Sequence, residues 1–90
     1  MNITGVKFRK MFDTEPLRAI CSVTLDEEIA IHDIKIVSAN GRLILAMPAR
    51  VAANGNYIDV VHPINSDSRK KLEEAVIGEY LKITEIQQLS

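Results

Sequence analysis

His62-Pro63-Ile64-Asn65-Ser66-Asp67-Ser68-Arg69-Lys70-Lys71 is the stretch at which this chain changes its period. Ahead of it, apolar residues alternate as they do in strands. Behind it, Leu72, Ala75, Val76, Tyr80 and Ile83 recur at helical spacing and form one packing stripe. Pro63 lacks the N–H that a strand ladder needs, and Asn65 or Ser66 supplies an N-cap oxygen for the helix that follows. The spacing predicts a helix over about 66–83. Gly78 is its soft spot, worth about 1 kcal/mol against Ala in an exposed helix interior. Beyond about Thr84 the pattern does not choose between continued helix and a frayed end. Arg69, Lys70 and Lys71 fall in the first turns. Cations there oppose the helix dipole unless an anion is present, and a phosphate would satisfy both the side chains and the terminal N–H groups.

Working back from the helix, the chain reads as short strands joined by turns. Residues 3–11 mix apolar and basic side chains like an edge strand, with Val6 and Phe8 on one face and Lys7 and Arg9 on the other. Asp13-Thr14-Glu15-Pro16 is a turn. In the next strand Ala19, Cys21, Val23 and Leu25 share a face, and Ile20 interrupts the polar one. After the acidic turn Asp26-Glu27-Glu28, the apolar set changes parity between Ile29/Ile31 and Ile34/Ile36. That change requires a bulge or a switch of covered face at His32-Asp33. Asn40-Gly41 marks a two-residue hairpin. Leu43–Met47 is nearly all apolar and reads as a central strand that Pro48 ends. A second Asn-Gly pair, Asn54-Gly55, precedes Tyr57–Val61, which is expected to pair with the strand ending at Met47. The resulting fold class is α+β: an antiparallel sheet of about five strands, spanning about 3–62, followed by a C-terminal helix.

The 90 residues fit a single domain, 47% hydrophobic and 26% charged, with a net charge of −1. The charge average gives no argument for a nucleic-acid partner, so any such binding rests on local clustering. No apolar run is long enough for a membrane span, and no leader is evident. Cys21 is the one cysteine, so no internal disulfide, zinc ligand set or other metal site is expected. A reducing, cytoplasmic setting fits. No Gly-rich phosphate loop or dinucleotide fingerprint points to a cofactor, and none is expected.

Several motifs stand in fixed order: Arg18-Ala19-Ile20 leading to Thr24-Leu25-Asp26, then His32-Asp33-Ile34, Ala46-Met47-Pro48, His62-Pro63-Ile64-Asn65-Ser66 and Arg69. With them, nearly the whole chain resembles the SpoVG family of bacterial septation and sporulation regulators. The resemblance implies one SpoVG-like domain over 1–90, a small homodimer built from a β-sheet and a C-terminal helix. It also implies binding to DNA or RNA with effects on gene expression and cell division. One departure is local. Where the family usually carries an adjacent Lys-Arg pair and then Thr, this chain reads Arg50-Val51-Ala52, so one cation of the pair is missing.

The candidate nucleic-acid contacts are therefore Arg50, Arg69, Lys70 and Lys71. The plainer reading of the helix charges is a solvated face, with Arg69–Glu73 and Lys70–Glu74 pairs each worth a few tenths of a kcal/mol. Arg69 is favoured over Lys71 because a guanidinium grips phosphate or a guanine edge with two bonds. Lys7, Arg9 and Lys10 form a second basic patch, for which protection of a sheet edge is the first explanation. His32-Asp33 and His62 lack a nucleophile in any recognisable pattern, so no catalytic residue is assigned and no small-molecule substrate is expected. Asp33 is expected to orient His32 or to accept backbone bonds at the bulge. Two Phe, two Tyr and no Trp are a poor supply for base stacking. The rival to a nucleic-acid-binding regulator is a dimeric protein-interaction module that acts on cell division without touching nucleic acid.

Overall fold

The computed structural model describes the backbone of residues 1–89 and the side chains of residues 1–84. Its elements run β1 (Ile3–Met11), β2 (Leu17–Leu25), β3 (Ile29–Ala39), β4 (Arg42–Ala46), β5 (Ala49–Val51), β6 (Tyr57–Asp59) and α1 (Ser66–Leu89). The first four strands form one antiparallel sheet in the order β1-β2-β3-β4, and β5 and β6 form a separate two-stranded sheet. The α+β class holds, with four strands plus two where a single sheet of about five was expected.

Two expectations about strand pairing are corrected. β4 is an edge strand, not a central one, and β6 pairs with β5 rather than with β4. The apolar run of β4 misled because only one of its faces is covered: Leu45 is buried in the core, while Ile44 on the opposite face is 42% exposed. Pro48 separates β4 from β5, and the five residues 52–56 then return β6 onto its immediate predecessor, with Arg50 opposite Ile58. Within that loop the Gly55 N–H donates to the Ala52 carbonyl, and Gly55 takes φ 86°. This is a longer hairpin connection, not the tight two-residue turn. At Asn40-Gly41 the tight turn does form, with φ of 53° and 76° and Ala39 paired to Arg42.

The parity change in β3 is a bulge. Cys21 faces Ile34 and Val23 faces Ile31, so β3 spends one residue more than β2 between these pairs, and Asp33 takes φ 63°. The extra residue lets Ile31 as well as Ile34 and Ile36 turn toward the same core.

That core lies between the sheet and α1. Ala19, Cys21, Val23, Ile34, Ile36 and Leu45 come from the sheet, and Leu72, Val76 and Tyr80 from the helix. The three helical residues are the centre of the expected stripe, with Ala75 and Ile83 half-buried beside it. Each fully buried aliphatic side chain contributes about 1.5–3 kcal/mol. Arg18 donates from Nε to the Tyr80 hydroxyl at 3.2 Å, which satisfies the one polar atom that Tyr80 carries into the core edge. Burial pushes the Cys21 thiol up to about 11. Helix α1 therefore covers one face of the four-stranded sheet. The opposite face is left to solvent and to the side chains that alternate with the core set.

Candidate nucleic-acid interface

The start of α1 is set by Asn65. Its Oδ1 accepts the Ser68 N–H at 2.8 Å, and its carbonyl accepts the Arg69 N–H at 3.1 Å, which makes it the N-cap. Ser66 is thus the first helical residue and Asp67 puts a carboxylate in the first turn. Arg69, Lys70 and Lys71 follow as the fourth to sixth helical residues. The cap and Asp67 already meet much of the helix end's demand for negative charge, so any anion binding here depends on the three side chains.

Those side chains fan out. At about 100° per residue, Arg69 and Lys71 flank the buried Leu72 on its two sides and Lys70 points away from the sheet. All three are exposed. Arg69 reaches Glu73 at 3.8 Å, the expected i,i+4 pair in a loose form, and half of its side chain remains accessible. Lys71 donates to the Met1 carbonyl at 3.4 Å. The Lys70–Glu74 pair is not formed among the described residues. The array is a ridge of cations around the helix start, with only weak internal partners.

Arg50 stands apart. It is exposed on β5 of the small hairpin, and among the described residues no hydrogen bond or ion pair links it to α1. The hairpin itself is unusually apolar on its surface: Val51, Tyr57 and Val60 are 57%, 79% and 64% exposed, and Ile64 beyond it is 85% exposed.

The sheet's open face holds a constellation that sequence reasoning did not assemble. The Ser22 hydroxyl and His32 Nδ1 lie 2.8 Å apart, and Arg9 pairs with Asp33 at 3.0 Å. Asp33 therefore neither orients His32 nor serves backbone N–H groups; its carboxylate is held by Arg9 across the sheet. The Ser-His contact lacks the carboxylate that would orient the imidazole for base catalysis. Ser22 opposite His32 was legible only with the pairing of β2 and β3 in hand, because the bulge changes which residues face each other. His62, at the other end of the chain's strand region, bonds through Nδ1 to the Pro63 carbonyl at 2.9 Å.

Among the described residues, no three of His, Cys, Asp and Glu converge as a metal-binding group, and no helix is long and apolar enough to cross a membrane.

Comparison with known proteins gives a consistent result. The SpoVG family model matches residues 1–82. A septation protein SpoVG 2 of Listeria monocytogenes is 42% identical over 85 residues, covering 94% of this chain and 83% of the relative. Septation protein SpoVG of Caldanaerobacter subterraneus is 45% identical over 85 residues, covering 94% of this chain and 93% of its own. That of Bacillus cytotoxicus is 38% identical over 89 residues, covering 99% and 92%.

Proposed function

The chain belongs to the SpoVG family, and from that premise we propose that it is a cytoplasmic, non-enzymatic regulator linked to septation and sporulation that acts by binding nucleic acid as a homodimer. The observation that carries the binding reading is the ridge of Arg69, Lys70 and Lys71. Three successive exposed cations hold only a 3.8 Å pair to Glu73 and a 3.4 Å bond to a carbonyl. A phosphate offers each of them a stronger partner than it has. Arg50 adds a cation from the hairpin, without the neighbouring Lys-Arg partner usual in the family. The relatives' names refer to septation, which supports the cellular role.

The dimer reading rests on the hairpin. Val51, Tyr57, Ile58 and Val60 expose apolar surface on a short strand pair whose residues contribute nothing to the core. Val51 and Tyr57, opposite each other in the register, share one face of the hairpin and form the patch suited to an interaction site. A two-fold pairing of this patch with its own copy would cover it. Sedimentation at micromolar concentration tests this: a dimer is expected, and a monomer only would overturn it.

The same apolar hairpin favours the second reading, a module that binds a protein partner in cell division while its cations remain surface charge. Salt separates the two. Phosphate contacts release counterions, so affinity for DNA or RNA oligomers falls log-linearly with salt concentration. A titration that finds no salt-sensitive binding to either nucleic acid would leave the protein-interaction reading in its place.

A further inference from the structure

The four-stranded sheet is covered by α1 on one face only. On the other, an open groove of about 510 Å³ crosses β1, β2 and β3, lined by Lys7, Arg9, Ser22, Thr24, Ala30 and His32. Every polar side chain in that lining can donate a hydrogen bond, and among the described residues no carboxylate lines it. The groove continues into a smaller one lined by Arg9, Lys10, Ile20 and Asp33. Lys35 rises from β3 on the same side, since its neighbours Ile34 and Ile36 are fully buried on the core side and it pairs with Ile20. Among the described residues Asp33 is the one acid within this strip, and it is paired with Arg9 at 3.0 Å.

From these placements we infer that the open sheet face is a second nucleic-acid surface, one that holds the phosphodiester backbone of a double helix without reading its sequence. Three features select that ligand. The basic side chains form two rows, Lys7, Arg9 and Lys10 on β1 and, on β3, Lys35 together with the imidazole ring of His32. The rows are two strand spacings, or about 10 Å, apart. This is comparable with the widths of the grooves of a double helix, about 6 Å and about 12 Å, so each row can meet the phosphates on one side of a groove. Second, among the described residues the one ring that lines either groove is His32, Phe8 packs against the core and Phe12 lies under Lys10 at 5.5 Å, so successive unpaired bases have no continuous stacking platform here. A duplex keeps its bases inside and presents phosphate. Third, the acidic turns Asp26-Glu27-Glu28 and Asp13–Glu15 bound the face at its two ends, which confines phosphate contacts to the few residues of each row that lie between them.

The hydroxyl of Ser22, 2.8 Å from His32 Nδ1, places a neutral polar group between the two rows. Because α1 lies on the far side of the sheet, this surface and the helix-start ridge face different directions. One subunit therefore presents phosphate contacts on two sides, a geometry suited to wrapping or bridging duplexes. The inference takes the class of polyanion from the function proposed above, but its residues are separate and its test is independent.

The test uses the full chain and a labelled duplex of about 20 base pairs, titrated by fluorescence anisotropy between about 50 and about 200 mM salt. The sheet variant is Lys7→Gln/Lys10→Gln/Lys35→Gln, the helix variant Arg69→Gln/Lys70→Gln/Lys71→Gln, and the control Lys82→Gln, with folding verified by circular dichroism. Arg9 is kept so that Asp33 retains its partner. If each sheet lysine meets one phosphate, the variant's log–log salt slope becomes shallower by about 2 to 3, and affinity at about 0.1 M salt falls at least about tenfold. The control stays within about twofold of the unaltered chain, on DNA and RNA duplexes alike. A sheet variant that matches the control in both affinity and slope overturns the inference, even if the helix variant loses binding. Loss in the sheet variant with none in the helix variant supports the inference and removes the helix-start reading. No duplex binding by the unaltered chain removes both.

Discussion

Asp33 is the residue whose replacement says most about how this sheet is built. It sits in the bulge of β3 at φ 63°, and its carboxylate reaches Arg9 at 3.0 Å. Two contributions to stability can be separated there. The left-handed backbone costs an ordinary L-residue about 1–2 kcal/mol, less for Asp and Asn, whose short polar side chains tolerate it, and little for Gly. The ion pair is exposed, with 57% and 62% of the two side chains accessible, so it contributes at most about 1 kcal/mol. Asp33→Asn and Asp33→Gly should therefore each lie within about 1 kcal/mol of the parent chain. Asp33→Ala should be about 1 kcal/mol less stable than Asp33→Gly, and Asp33→Val, β-branched, less stable again. In a domain of this size each kcal/mol shifts Tm by about 4–8 °C, so thermal and urea denaturation followed by circular dichroism resolve the series. Asp33→Ala matching or exceeding Asp33→Gly would refute the backbone argument. Asp33→Asn falling as far as Asp33→Ala would give the effect to the ion pair instead. If Asp33→Ala kept the fold but abolished function, the structural role of this residue would be wrong.

Other substitutions probe the core and the helix start. Ile36→Ala removes a fully buried side chain beside Ala19 and should cost about 2–5 kcal/mol, read as a lowered urea midpoint at unchanged slope. The Cys21 thiol is raised from 9.0 to about 11 by burial, so the unfolded chain releases its proton before the folded one does. Its contribution is full below about pH 9 and is lost as pH rises toward about 11, with a slope of at most about 1.4 kcal/mol per pH unit that Cys21→Ala should remove. Single Arg69→Ala and Lys71→Ala chains should keep their stability within about 0.5 kcal/mol, since each loses only a loose exposed contact near the positive end of the helix. An unfolding midpoint shifted well beyond that would show that these cations serve the fold.

Much of this fold is legible in the sequence because its signals are local. Pro63, Asn65 and the Leu72–Val76–Tyr80 spacing define the helix start and its buried face, and Asn40-Gly41 defines one hairpin. The parity change from Ile31 to Ile34 announces either a bulge or a switch of covered face, and the strand register decides for the bulge. What the sequence conceals is pairing at a distance. Leu43–Met47 is apolar enough for a central strand, and only the sheet order shows that Ile44 faces outward at an edge. The same holds for the site. Arg69, Lys70 and Lys71 are adjacent in the chain and are found by eye, whereas Arg50 shares a motif with the family but no contact with them. Ser22 and His32 come within 2.8 Å only through strand register, so no one-dimensional pattern brings them to notice. Lys7 and Arg9 are placed opposite Val6 and Phe8 by alternation alone, whereas only the strand register shows that Lys35 on β3 shares their face.

The claim that matters most is that the cations at the start of α1 grip phosphate. It is tested most directly by the salt dependence of nucleic-acid affinity in the unaltered chain and in Arg69→Ala/Lys70→Ala/Lys71→Ala, measured side by side on DNA and RNA. If the ridge holds phosphates, the unaltered chain shows a steep log–log slope, and the variant's slope is shallower by about 0.9 for each duplex contact removed, with its thermal stability intact. Identical slopes and affinities for the two chains would contradict it.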